Sequence, residues 1–166
     1  MILMRTNSAL IAAALATCMF VSQAIAAQTD LPAIVVKGHD SGSPVSKTFD
    51  RHELEQMGMV SIKTTTPWNE GVVDFEGVPF EQILSAAGVS GTIATVTALN
   101  DYSVDIPVSD FSQFGVILAI KRNGEYMPVA DQGPFFVIYP FDKHPALDAQ
   151  PYHGRAVWQV KEIVVE

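Results

Sequence analysis

Trp68, Tyr102 and Tyr139 are the side chains here whose surroundings suggest chemistry. Each aromatic stands in a polar stretch: Pro67-Trp68-Asn69-Glu70, Asn100-Asp101-Tyr102 and Tyr139-Pro140-Phe141-Asp142. An aromatic so placed offers a flat face or a hydroxyl to a ligand while its neighbours supply hydrogen bonds. The competing reading is that each plugs the core beneath its loop. Other chemistries are poorly served. His39, His52, His144 and His153 fall at no spacing used by zinc or copper sites, and read as solvated loop residues. The chain has neither a Gly-x-Ser-x-Gly elbow nor a glycine-rich phosphate loop. Asp101 and Asp105 read as solvated turn and strand residues rather than a glycosidase pair. The residues point to a binder of a flat heteroaromatic ligand, with no catalytic set and no metal ligands.

The N-terminus predicts export. Arg5 is the one charge ahead of an apolar and small-residue run from Ala9 to Val21, and Ala24-Ile25-Ala26 follows as a small-x-small cleavage site. The run falls short of the roughly 20 residues that a membrane span needs. Residues 1–26 are therefore expected to be a signal peptide, and 27–166 a single periplasmic or secreted domain with no membrane insertion after cleavage. A lipid anchor at Cys18 is the weaker alternative, because Thr17 is larger than such sites usually tolerate and signal-like residues continue past it. Cys18 is the only cysteine, so cleavage leaves no thiol for a disulfide or a metal. Loss of Arg5 leaves nine Lys and Arg against 18 Asp and Glu, a net charge of −9. Such a field repels nucleic acid and anionic lipid surfaces.

Positioning the aromatics requires a mixed fold. Strands are expected at Ala33 to Val36, Val60 to Thr66, Thr92 to Leu99, Tyr102 to Ile106, Val116 to Lys121, Tyr126 to Val129, Phe135 to Tyr139 and Val157 to Val165. His39 to Ser46 and Pro67 to Gly71 read as loops. Asp50 with Glu53 makes a capping box for a two-turn helix closed by Gly58. A second helix runs from Phe80 to Ala87, between Pro79 and Gly88. Asn123-Gly124 is a hairpin turn. Phe141 to Gly154 reads as a long ordered loop of the kind in which sites are built. Trp158, sharing a strand face with Val160 and Val164, is expected in the core.

Three segments carry a family resemblance. They are Phe75-Glu76-Gly77-Val78-Pro79-Phe80, Asn100-Asp101-Tyr102-Ser103-Val104-Asp105, and Gly133-Pro134-Phe135-Phe136-Val137-Ile138-Tyr139-Pro140 followed by Arg155-Ala156-Val157-Trp158. In order and spacing the chain resembles the sulfite-oxidase-type molybdopterin-binding domain from about Ile34 to Val165. The resemblance implies an α+β fold with mixed β-sheets and few short helices. In enzymes of that family a cysteine thiolate ligates molybdenum, and its place falls at about Thr65, whose hydroxyl is a poor substitute for a soft thiolate. Those enzymes also meet the cofactor phosphate with basic residues, for which this chain offers only Arg155 and Lys143 nearby.

The resemblance further implies a pterin pocket. Trp68 with Tyr102 or Tyr139 would supply stacking faces, Asp131, Asp142 or Asn69 would accept from the ring's amino edge, and Arg155 would donate to its carbonyl. The chain looks like the small exported pterin-binding proteins of this fold. As that resemblance implies, these lack the metal and act as sensors contacting the periplasmic part of an inner-membrane cyclic-di-GMP-signalling protein. Two rivals remain: an oxidoreductase holding the molybdenum cofactor through its dithiolene alone, and a structural exported domain with a vestigial pocket.

Overall fold

Local signals place the first helices. Asp50 accepts from the Glu53 N–H at 2.8 Å while the Glu53 carboxylate accepts from the Asp50 N–H at 2.9 Å, a complete capping box for α1 (Arg51–Gln56). Helix α2 (Phe80–Ala87) starts after Pro79 and ends at Gly88, whose φ of 74° suits a residue without a Cβ. The computed structural model describes residues 31–166, so the expected signal peptide, with Arg5, Cys18 and Ala24-Ile25-Ala26, lies outside the described residues.

Two sheets carry the fold, which is α+β. The first joins β1 (Ala33–Asp40), β2 (Ser43–Asp50), β5 (Ile93–Ala98), β6 (Ser103–Pro107) and β10 (Val160–Val165) in the order β2-β1-β10-β5-β6. Its β1–β10 pairing is parallel, with Val36 opposite Ile163, and its other pairings are antiparallel. The second runs β3-β4-β7-β8, from β3 (Val60–Thr66), β4 (Asn69–Pro79), β7 (Ile117–Arg122) and β8 (Glu125–Tyr126), with β9 (Phe136–Ile138) also paired to β7. Ile34, Val36, Val96 and Ile163 from one sheet and Phe75, Leu118 and Phe136 from the other belong to one buried cluster. Phe80 of α2 stacks on Phe111 of α3 (Ser109–Phe114) at 4.5 Å.

Three expectations are corrected. The stretch expected as a loop from His39 to Ser46 is a hairpin that turns at Ser41-Gly42. Its second strand lies at a sheet edge, where serines and Pro44 are tolerated because one side of the strand needs no partner. Asn69 to Gly71 belong to β4, leaving Pro67-Trp68 as the connection. The long segment after Phe141 is not an open loop: it folds into two single 3-10 turns and α4 (Gln150–Arg155).

Gly77 explains part of the Gly-Val-Pro segment. A Cβ there would stand 2.1 Å from the Leu118 carbonyl oxygen across the β4–β7 pairing. Gly77→Ala is expected to cost about 1–3 kcal/mol through forced backbone displacement. Urea titration should show a lower midpoint at unchanged slope.

Candidate ligand-binding site

Two tight turns, one from each sheet, face a common space. Pro67-Trp68 links β3 to β4, closed by Thr66, whose hydroxyl donates to Asn69 Oδ1 at 2.9 Å and accepts from the Asn69 N–H at 3.1 Å. On the other sheet Asn100-Asp101 links β5 to β6. Asp101 takes a φ of 65°, and Asn100 Oδ1 accepts from the Tyr102 N–H at 3.1 Å. Lys161 of β10 bonds the Asp101 carboxylate and holds it below the usual carboxylate range, first through that hydrogen bond and then through its charge. Helix α4 closes a third side, and the Tyr102 hydroxyl donates to the Gly154 carbonyl at 3.2 Å.

The half-open cavity between them measures about 440 Å³ and is lined by Trp68, Asn100, Tyr102, Gln150, His153 and Trp158, with small apolar groups between. Its volume lies in the range of about 300–1,000 Å³ usual for small-molecule sites. Trp68 and Trp158 meet edge to face, with centroids 5.5 Å apart at 79°. Trp68 also rests against Phe136 at 5.8 Å, Phe141 at 6.5 Å and His153 at 6.3 Å. The side chain is thus held by packing on several sides while remaining only half-buried. No lining residue of this cavity is an Asp, Glu, Lys or Arg; its polar groups are amides, a phenol and an imidazole.

A second cavity, of about 510 Å³, adjoins the first, sharing Pro67 and His153 and adding Thr65, Thr66, Phe141, Asp142, Pro145 and Asp148. Asp142 grips Thr65 twice. It accepts from the Thr65 N–H at 2.8 Å and from the Thr65 hydroxyl, while its own N–H donates to Thr64 Oγ1 at 3.1 Å. Asp148 stands 3.4 Å from His153 Nε2.

Of the expected site residues, the structure brings Trp68 and Tyr102 together and puts Asp142 in the neighbouring cavity. The others lie elsewhere. Asn69 is occupied in closing the turn behind Trp68. Asp131 is exposed and ion-paired with Arg122. Tyr139 is fully buried, its hydroxyl donating to Asp110 Oδ2 at 2.9 Å. Burial first, and then the negative charge of Asp110, push the Tyr139 phenol far above its ordinary range, so it stays a neutral donor. Arg155 donates to the same Asp110 oxygen at 2.7 Å and lies over the Tyr152 ring, 5.1 Å from its centroid. Asp110 is 6% exposed and needs both partners.

Trp158 is the reverse case, expected in the core but found on the pocket wall. Gln159 takes a φ of 57°, which breaks strand alternation before β10 begins, so the face assignment drawn from Val160 does not extend to it. His153 and Gln150 were not expected as site residues. Their signal was the unusual length of the segment after Phe141, which becomes informative once part of it is seen as helical.

The family profile described as the oxidoreductase molybdopterin binding domain matches residues 46–141, which include both turns and stop before α4. No curated protein matches the chain.

Proposed function

The chain belongs to the oxidoreductase molybdopterin-binding domain family, and from that premise we propose that it binds a pterin ring as a non-catalytic ligand sensor. The carrying observation is the cavity walled by Trp68, Tyr102 and Trp158 and lined by no carboxylate, lysine or arginine. A pterin is flat and polarisable and suits aromatic walls; the amides of Asn100 and Gln150 can accept from its amino and N–H edge and donate to its carbonyl.

The full molybdenum cofactor is a poor match to these residues. At the place expected for the family's thiolate, Thr65 offers a hydroxyl that already donates to Asp142. No cysteine occurs among the described residues, and no three His, Asp or Glu side chains among them converge as a metal site. Where the family supplies a soft thiolate, the second cavity offers the hard oxygens of Thr65, Thr66, Asp142 and Asp148.

The same proposal includes export through residues 1–26 and read-out by the periplasmic part of an inner-membrane cyclic-di-GMP-signalling protein. Its support is the N-terminal sequence pattern and the resemblance of the three motif segments.

Protein purified from its own periplasm is expected to carry pterin, seen by fluorescence of the denatured extract, without molybdenum by mass spectrometry. Near-stoichiometric molybdenum would overturn the proposal in favour of an enzyme. Absence of both, with no uptake of added reduced pterin, would favour a structural domain.

A further inference from the structure

We infer that the site selects pterins whose side chain carries no phosphate, and that Asp142 and Asp148 in the second cavity impose the choice; this rests on the pterin reading above. The two cavities adjoin at Pro67 and His153. A ring held against Trp68 and Trp158 can therefore pass a substituent across that boundary. What the substituent meets is a set of acceptors: the carboxylates of Asp142 and Asp148 beside the Thr65 and Thr66 hydroxyls.

A phosphate finds no counter-charge there. Neither cavity is lined by a lysine or an arginine. Arg155 is bound to Asp110, while Lys143, next to Asp142 in sequence, is exposed and lines neither space. The Thr65 N–H and hydroxyl could have donated to a phosphate oxygen, but Asp142 takes both. His153 is the one side chain of either cavity that can become cationic, and it faces Asp148. A dianion would thus be placed among acids with its donors already used, which is selection by repulsion. A hydroxylated, uncharged side chain is the complement, since each hydroxyl can donate to a carboxylate that lacks donors of its own.

Calorimetric titration of the full protein with three probes tests this: unsubstituted pterin, 6-trihydroxypropyl pterin, and the monophosphate ester of the latter. The trihydroxypropyl compound is expected to bind about tenfold or more tighter than its ester at low salt, the order of one like-charge contact between the surface and bulk-water limits. The gap should narrow as salt is raised. In Asp148→Asn and in Asp142→Asn/Asp148→Asn the ester should gain affinity relative to the uncharged compound, so that the gap between the two narrows. Asp148 is 85% exposed, with His153 as its close partner, so its replacement tests the charge without disturbing the fold. The variants also separate these two carboxylates from the overall net charge of −8. Equal or tighter binding of the ester in the native protein overturns the selectivity, as does an unchanged gap in the double variant. If none of the three probes binds, the pterin reading itself falls, and the selectivity with it.

Discussion

Arg155→Ala is expected to cost roughly 3–5 kcal/mol of folding stability, the scale on which removing one partner strands a buried charge. Asp110 lies inside the protein and receives two donors, the Arg155 guanidinium at 2.7 Å and the Tyr139 hydroxyl at 2.9 Å. Without the arginine, its carboxylate keeps one neutral donor and little access to water. The same tie fastens α4 to α3, and α4 supplies Gln150, His153 and Gly154 to the pocket. Ligand affinity should therefore fall along with stability. Urea denaturation measures the first and calorimetry the second. The triple variant Asp110→Leu/Arg155→Met/Tyr139→Phe separates positioning from contact: replacing both charges by apolar groups of similar size, and removing the hydroxyl that Asp110 accepted from, should restore much of the stability. If Arg155 acts only by holding α4, pterin affinity should return with it. A single variant within about 1 kcal/mol of the parent would mean that the pair behaves as an ordinary exposed ion pair.

Trp68→Ala is expected to weaken pterin binding by about 1–3 kcal/mol, the usual loss for one stacking partner. The indole is held by Phe136, Phe141, His153 and Trp158, so the wall is in place before a ligand arrives. Little ordering cost is then left for binding. Trp68→Phe should recover most of the affinity, since it keeps an aromatic face. Because the alanine variant also loses packing, its denaturation curve must accompany the titration. Unchanged affinity in a folded Trp68→Ala protein would move the ligand away from this cavity.

What the sequence reveals and what it hides divides along the range of the interactions involved. Strand β3, helices α1 and α2 and the Asn100-Asp101 turn are set by residues within a few positions of each other, and all were readable. The hairpin at Ser41-Gly42 was hidden because an edge strand tolerates a loop-like composition. The fates of Tyr139 and Arg155 were hidden more deeply. Both are fixed by Asp110, which lies 29 and 45 positions away in a helix with no side-chain cap to announce it. Trp68 and Tyr102 could be found because each sits at a tight turn, where an aromatic among polar residues stands out. That the two turns belong to different sheets and share one cavity is a property of how the sheets and α4 pack together.

The β2-β1-β10-β5-β6 sheet has a further consequence for the timing of folding. Its central strand, β10, follows the other four in the sequence, and it joins the β1–β2 hairpin to the β5–β6 hairpin. Each hairpin can form on its own within microseconds, but closing the sheet must wait for the parallel pairing of β1 with β10, far apart in the sequence. A polypeptide made in this order leaves this sheet divided into two hairpins until β10 appears. For a chain exported as proposed, that delay would keep the two hairpins separable until β10 follows them.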